Sequence, residues 1–297
     1  MIRIAILGAG TMGRTHAAAH AALPGVETIG PLPRLALARE FPRLLDDGTI
    51  DAVDVCVPTE AHADFVLPAL AAGKHVFCET PLAPSADRAR AMAEVARRSR
   101  RLLQVGLLMR AVAAYRHVKR MAEAGTQGRL VEFATWRRSS YLRPDAPGRK
   151  SHYGDVMLEL MAFDFDAVNW LMGRPDRLEA AGTDEVEARL GWNDGRSASV
   201  AASGLMPLGT PFTSGFRARF ESATFEFNCV FEGNGPPRTT FDVPLEDRNP
   251  YEVELGHFVD CLRGRADPAL LDAERAVEAL ALADETRLAL RESQIRA

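Results

Sequence analysis

The residues with the clearest chemical potential stand near the start of the chain. Gly8-Ala9-Gly10-Thr11-Met12-Gly13 has the spacing G-x-G-x-x-G and directly follows an apolar run at 2–7. A strand, this loop and then a helix form the setting in which a dinucleotide is held. Gly8 makes the tight turn, Gly10 lets a pyrophosphate approach the backbone, and Gly13 lets the helix pack closely on the strand. The N–H groups at the start of the helix then face the anion. Gly8, Gly10, Thr11 and Met12 are therefore expected to bind a cofactor, NAD or NADP. The choice between the two is open. The pattern calls for an acidic residue about 20 positions beyond the loop, to hold the ribose 2′-OH. Between Glu27 and Glu40 there is none. Arg34 lies in that stretch and reads either as a partner for a 2′-phosphate or as a solvated arginine at a helix start. The short stretch also reads as a weakened adenosine site.

The elements that must position this loop follow from periodicity. Short apolar runs at 2–7, 26–29, 51–57, 75–78 and 102–105 alternate with alanine-rich helical stretches at 11–23, 61–72, 84–100 and 111–124. Strands alternating with helices imply a doubly wound parallel sheet, whose ligands sit beyond the C-terminal strand ends. Pro58-Thr59, Glu79-Thr80-Pro81 and residues 106–110 all follow strands, so they should surround one crevice. Arg110, in the last of these, could clamp a substrate hydroxyl or carboxylate, or lie on the surface. Beyond Gly128 the pattern changes to a helix at 155–171, short β-rich runs at 178–182, 186–192, 197–203, 216–221 and 224–228, and a closing helix at 272–292. Hairpin-like spacing there, with turn residues such as Asn193-Asp194-Gly195, predicts a largely antiparallel sheet. The expected fold class is α/β: an N-terminal Rossmann domain over 1–115, and a C-terminal α+β domain with an open sheet over 116–297.

Composition narrows the function. With 297 residues, 47% hydrophobic, 26% charged and a net charge of −4, the chain has the balance of a globular protein. Mild acidity gives no electrostatic reason to bind nucleic acid or an anionic membrane. The basic run at 97–101 ends a helix, where cations suit the dipole. No apolar run is long enough to span a bilayer, and the first residues lead straight into the glycine loop. Cys56, Cys78, Cys229 and Cys261 are widely spaced and read as reduced thiols, with a cytoplasmic location expected. Cys56 and Cys78 lie in strand-like runs, where core packing is their expected role. His16, His20, His75, His117 and His257 have no acidic or cysteine neighbour at ligand spacing in the sequence, so no metal site is expected.

Taken in order, these motifs resemble the Gfo/Idh/MocA oxidoreductases. The resemblance is carried by 8–13, Pro58-Thr59-Glu60-Ala61-His62, Ala71-Ala72-Gly73-Lys74-His75-Val76, Glu79-Thr80-Pro81-Leu82 and Gln104-Val105-Gly106 with Arg110. Leu171-Met172-Gly173 and the run 258–264 extend it over nearly the whole chain. The resemblance implies cofactor contacts from Pro58, Thr59, His62 and Glu79, His62 alternatively capping its helix. It also implies a small-molecule substrate (a sugar, cyclitol or related polyhydroxy compound) and a homo-oligomer formed through the open sheet.

Two departures bear on the chemistry implied. Relatives usually have lysine where this chain has Thr80, and a hydroxyl cannot stabilise a developing alkoxide as an ammonium does. Relatives also show Asp and, four residues later, a histidine acting as general acid/base. The matching positions here are Glu159 and Phe163, and a phenyl ring transfers no proton. Phe163 is then expected to line the substrate site. A different acid/base is needed, and Glu159, Tyr153, His152 and Thr80 are the candidates. Tyr153 could donate a proton if a cation such as Lys150 lowered its pKa. The leading expectation is an NAD(P)-dependent oxidoreductase acting on a hydroxyl or carbonyl carbon. The alternatives are a non-redox nucleotide-binding sensor, or a cofactor-retaining lyase, hydrolase or epimerase.

Overall fold

The first apolar run forms strand β1 (Ile2–Leu7), completely buried from Ile4 onward. Burial on both faces is the mark of an inner parallel strand, and it explains the absence of polar alternation. In the computed structural model, which describes residues 1–146, 154–232, 237–244 and 248–296, the chain continues as α1 (Thr11–Ala21), β2 (Val26–Leu32), α2 (Arg34–Asp46), β3 (Ala52–Val55), α3 (His62–Ala71), β4 (His75–Cys78), α4 (Ala86–Ser99) and β5 (Leu103–Val105). The five strands pair in parallel in the order β2-β1-β3-β4-β5. Strand order reverses beside β1, and ligands of doubly wound sheets settle above such a switch. Local signals agree with the elements: Ser85 caps α4 by accepting from the Arg88 N–H, and Arg97 and Arg98 lie in its last turn.

The second unit, residues 112–247 and 278–297, starts with α5 (Ala113–Ala124) and β6 (Leu130–Arg138). The helix expected at 155–171 instead begins with a wide π-turn, Met157–Met161, before α6 (Ala162–Met172). Strands β7 (Arg177–Gly182), β8 (Val186–Gly191), β9 (Ser197–Ser203), β10 (Phe212–Phe220), β11 (Thr224–Phe231) and β12 (Arg238–Phe241) complete a sheet ordered β12-β11-β10-β6-β9-β8-β7. Every pairing is antiparallel except β6 with β9, so the sheet is mixed and largely antiparallel. One face buries Phe133 and Phe216 against Tyr115 of α5. The other carries ion pairs such as Glu132–Arg219 and Arg138–Glu185.

The chain then returns to the first unit, which comprises residues 1–111 and 248–277. The sequence placed this stretch in the second domain. Apolar packing is the reason it belongs with the first. Helix α7 (Pro250–Leu262) brings Phe258 to 5.5 Å from Phe77 of β4 and Tyr251 to 6.0 Å from His16 of α1, between ring centroids. The Val105 N–H donates to the Leu271 carbonyl (2.9 Å), which covers the free edge of β5. A last helix, α8 (Ala273–Arg296), ends the described chain. No helix among the described residues is long and apolar enough to cross a membrane.

Candidate functional site: a nucleotide cradle above a buried charge cluster

The three glycines of the first loop have different jobs. Gly8 has φ +109°, and a Cβ there would lie 2.5 Å from the Cys56 carbonyl oxygen. A Cβ on Gly13 would lie 1.7 Å from the Gly8 carbonyl oxygen, so only glycine lets α1 start this close to β1. Gly10 is not needed for packing. It is exposed, stands at the N-cap of α1, and a Cβ on it would meet no heavy atom within 4 Å. What glycine gains there is room for something that approaches from outside. Helix α1 has no side-chain cap and no acidic residue in its first turn, so its amide dipoles remain available to an anion. Thr11 is exposed and Met12 half-buried beside them. The Arg14 guanidinium braces the loop by donating to the Ala9 carbonyl (2.7 Å). This cradle fits the pyrophosphate of a dinucleotide, which would bring hydride chemistry at its nicotinamide ring.

Strand β2 runs longer than the periodicity predicts because it contains a bulge. Gly30 has φ +101°, and a Cβ there would lie 2.7 Å from the Ile6 carbonyl oxygen. Beyond the bulge, the Leu32 carbonyl accepts the Gly8 N–H (2.9 Å), which ties the end of β2 to the glycine loop. Helix α2 begins at once with the exposed Arg34, and its first turn has no acidic residue.

The loops beyond β3 and β4 are joined by His62. Its Nδ1 lies 3.1 Å from the Leu82 carbonyl oxygen and its Nε2 lies 2.9 Å from that of Val57. The ring is buried, and burial pushes its pKa down. His62 thus makes no cap for α3; it holds the exposed Pro58 and half-buried Thr59 in register with Glu79 and the half-buried Thr80. Arg110, after β5, is buried and donates to the Leu270 carbonyl (2.8 Å).

Below the cradle lies a feature that the sequence reading missed. His16 of α1 is completely buried, with Nδ1 2.9 Å from Asp54 Oδ2 and Nε2 2.6 Å from Glu79 Oε1. The Glu79 contact is a close ion pair that approaches too obliquely for an aligned hydrogen bond. His20, one turn further along α1, has Nε2 3.0 Å from Asp54 Oδ2. The Cys56 thiol is 3.3 Å from His16 Nδ1 and 3.4 Å from Asp54 Oδ1. Glu254 of α7 completes the group, with both carboxylate oxygens buried and without a hydrogen bond among the described residues.

The charges follow from these distances. Burial opposes the His16 cation, but the Asp54 charge, the bonds to Asp54 and Cys56 and the close Glu79 carboxylate outweigh it, so its pKa rises far above the ordinary value. Burial likewise opposes the Asp54 anion, and the His16 charge together with bonds to both histidines holds it well below the carboxylate range. Glu254 is pushed well up by burial and by the Glu79 charge, which keeps it a neutral acid. Burial also pushes the Cys56 thiol well up, so it is not a thiolate nucleophile.

The expectation that these histidines have no acidic or cysteine neighbours is thereby corrected: folding supplies them. His16, Asp54 and Cys56 each offer a ligand atom within 4.8 Å of the others, a spacing that could hold a metal ion. In the described structure those atoms bond to one another. Two signals in the sequence point to this cluster: a lone Asp54 inside a buried strand, and two histidines four apart, hence on one face of an alanine-rich helix.

In the second unit, Glu159 is half-buried and its Oε1 accepts the Gly154 N–H (2.8 Å). The Phe163 ring centroid lies 4.8 Å from the Arg137 guanidinium carbon. Arg137 in turn pairs with the buried Asp164 (Nε to Oδ2 2.9 Å). Tyr153, His152 and the neighbouring Lys150 lie outside the described residues.

Comparison with known proteins agrees with this geometry. A family profile described as an oxidoreductase family with an NAD-binding Rossmann fold matches residues 2–107, the segment that builds the parallel sheet and its loops. The matched profile is that of the Gfo/Idh/MocA oxidoreductases, which this segment resembles. The chain is 25% identical over 314 residues to scyllo-inositol 2-dehydrogenase (NAD(+)) of Bacillus subtilis (strain 168), covering 93% of this chain and 90% of that protein. It is 28% identical to the rhizopine catabolism protein MocA of Rhizobium meliloti, covering 95% and 93%. The fold matches that of levoglucosan dehydrogenase solved with NADH and levoglucosan, with a TM-score of 0.78, 18% identity and coverage of 98% and 97%.

Proposed function

We propose that this protein is an NAD(P)-dependent oxidoreductase of the Gfo/Idh/MocA type that moves hydride between nicotinamide and a hydroxyl or carbonyl carbon of a polyhydroxy compound. The observation that carries this reading is the cradle. Gly8 and Gly13 are required by packing, whereas Gly10 leaves open room above an uncapped helix start. Similarity to dehydrogenases of inositol and levoglucosan supports the substrate class. Thr11, Met12, Pro58 and Thr59 would line the dinucleotide, while His62 would act through the two loops it joins. Arg34, exposed at the end of β2 where no carboxylate meets the ribose, supports NADP as the better fit. We further propose self-association through the polar outer face of the second unit's sheet.

Calorimetric titration with NADH and NADPH, followed by absorbance at 340 nm with scyllo-inositol, myo-inositol, levoglucosan and 1,5-anhydro-D-fructose, tests the reading. Binding of at least one cofactor and turnover of a polyol or its ketone is expected. No binding of either cofactor would sink it. Binding without any absorbance change would leave the sensor reading, which the replacement of a proton-transferring histidine by Phe163 favours.

A further inference from the structure

Strand ends face the cradle, so the group that exchanges a substrate's hydroxyl proton should follow a strand. Cys56 is held as a thiol by burial. His62 has both ring nitrogens on backbone carbonyls. Thr80 has only an alcohol, and the Arg110 guanidinium does not give up its proton. Glu60 is exposed on the outer surface, 3.9 Å from Arg88. Glu79 remains. It directly follows β4, and 13% of its side chain is still exposed. Its Oε2 accepts the Thr80 N–H (3.0 Å), and its Oε1 rests on His16.

What stands behind Glu79 is costly to build. Burying a charged pair does not by itself stabilise a fold, and apolar residues of similar volume usually do as well or better. Yet α1 contributes His16 and His20, β3 contributes Asp54 and Cys56, and α7 contributes Glu254 and Tyr251 around one imidazole ring. Asp54 takes the Nδ1 side of that ring, which leaves Nε2 directed at Glu79. Ionisable groups gathered in this way, with one end reaching the surface, mark a functional site more often than a structural one.

We propose that Glu79 exchanges the substrate's hydroxyl proton in this chain, and that His16 and Asp54 are positioning residues that aim it. This rests on the oxidoreductase reading above. In oxidation, the hydroxyl proton passes to a Glu79 carboxylate oxygen. The carbinol C–H electron pair leaves as hydride to the nicotinamide ring of NAD(P)+, and the C–O bond becomes C=O. In reduction the same proton returns from the Glu79 carboxyl to the forming alkoxide. Thr80 holds the carboxylate through its backbone N–H and needs no charged side chain for that.

The test uses the full chain and the variants Glu79→Gln, Glu79→Asp and Asp54→Asn, with cofactor affinity titrated separately from turnover of the four compounds named above. Glu79→Gln should still bind cofactor yet lose about 10²- to 10⁴-fold in kcat, the usual contribution of a positioned acid/base. Glu79→Asp should recover part of that loss. Asp54→Asn should lower kcat with less effect on KM, because His16 is then no longer held by Asp54 against Glu79. A second readout needs no turnover. In ¹⁵N-histidine NMR of the cofactor-free protein, the His16 ring should carry protons on both nitrogens at pH 7 in wild type and titrate near neutrality in Asp54→Asn. A Glu79→Gln variant with wild-type kcat and pH profile would overturn the proposal while leaving the oxidoreductase reading intact. A neutral His16 at pH 7 would overturn it as well. Should wild type bind cofactor but turn over none of the compounds, the oxidoreductase reading falls and the proposal falls with it.

Discussion

Each unit of this protein buries an aspartate against a cation, and the two pairs, Asp54 with His16 and Asp164 with Arg137, are built to different ends. In the first unit Asp54 faces His16, a cation that can gain or lose its proton, and the contacts continue outward to a partly exposed Glu79. In the second unit Asp164 faces Arg137, a cation that cannot, and the Phe163 ring lies against the guanidinium. The Thr135 hydroxyl stands 3.0 Å from Asp164 Oδ1 and adds a further polar contact. The charges reflect the difference. Two histidines hold Asp54 well below the ordinary carboxylate range. Burial raises Asp164 from the ordinary aspartate value despite Arg137 and Thr135. A buried pair made from a titratable cation and opened at one end can handle protons. One made from a permanent cation beside an aromatic ring can tie strand to helix but has no proton to move.

The largest expected effect separates these roles through stability. Arg137→Leu strands Asp164 in the core and should cost about 3–5 kcal/mol in urea unfolding. The double change Arg137→Met with Asp164→Leu should recover most of that loss. Cofactor affinity should be unchanged in both. If either substitution alters cofactor affinity instead, the second pair is not merely structural and the contrast breaks.

A smaller effect sharpens the view of the cradle. Gly13→Ala must displace the Gly8 carbonyl, and should lose about 1–3 kcal/mol of stability together with cofactor affinity. Gly10→Ala meets nothing in the free protein. It should leave stability within about 0.5 kcal/mol of wild type but weaken cofactor binding about tenfold, as seen by titration. Equal effects from the two alanines would mean that the loop is only a turn.

The smallest effect is a divergence in acid. Asp54, depressed in the fold, contributes stability above the ordinary aspartate range near about pH 4, and that contribution fades as pH falls toward its folded value. Asp164, raised in the fold, has the opposite sign: its contribution is present at low pH and fades as pH rises. All three tryptophans (Trp136, Trp170 and Trp192) belong to the second unit, so their emission reports on that unit alone. Between pH 5 and 3, amide protection in β1 and β3 should fall before tryptophan emission shifts. Simultaneous loss would show that the two buried pairs titrate alike.

Much of the architecture could be read without coordinates, because it depends on local patterns. Unbroken apolar runs such as 4–7 report burial on both faces, and residues 8–13 report a turn that only glycine can make. The bulge at Gly30, which lengthens β2, and the π-turn at Met157–Met161 escaped because neither leaves a periodic trace. Helix α7 escaped assignment to the first unit because its partners, Phe77 and His16, lie more than 170 residues earlier in the chain.

The site divides in the same way. The sequence alone determined the nucleotide cradle, since its geometry is a property of six consecutive residues and the helix they start. The resemblance of the sequence to the family also marked Thr80 and Phe163 as positions where a lysine and a histidine are expected. Only the tertiary structure decided that His16, Asp54, Cys56, Glu79 and Glu254 meet. They come from two helices and two strand ends, and no spacing along the chain encodes a contact that exists only once α1 and α7 have packed against the sheet. Their charges were decided there too, because a histidine's proton depends on which carboxylates close around it and on how far water is kept away.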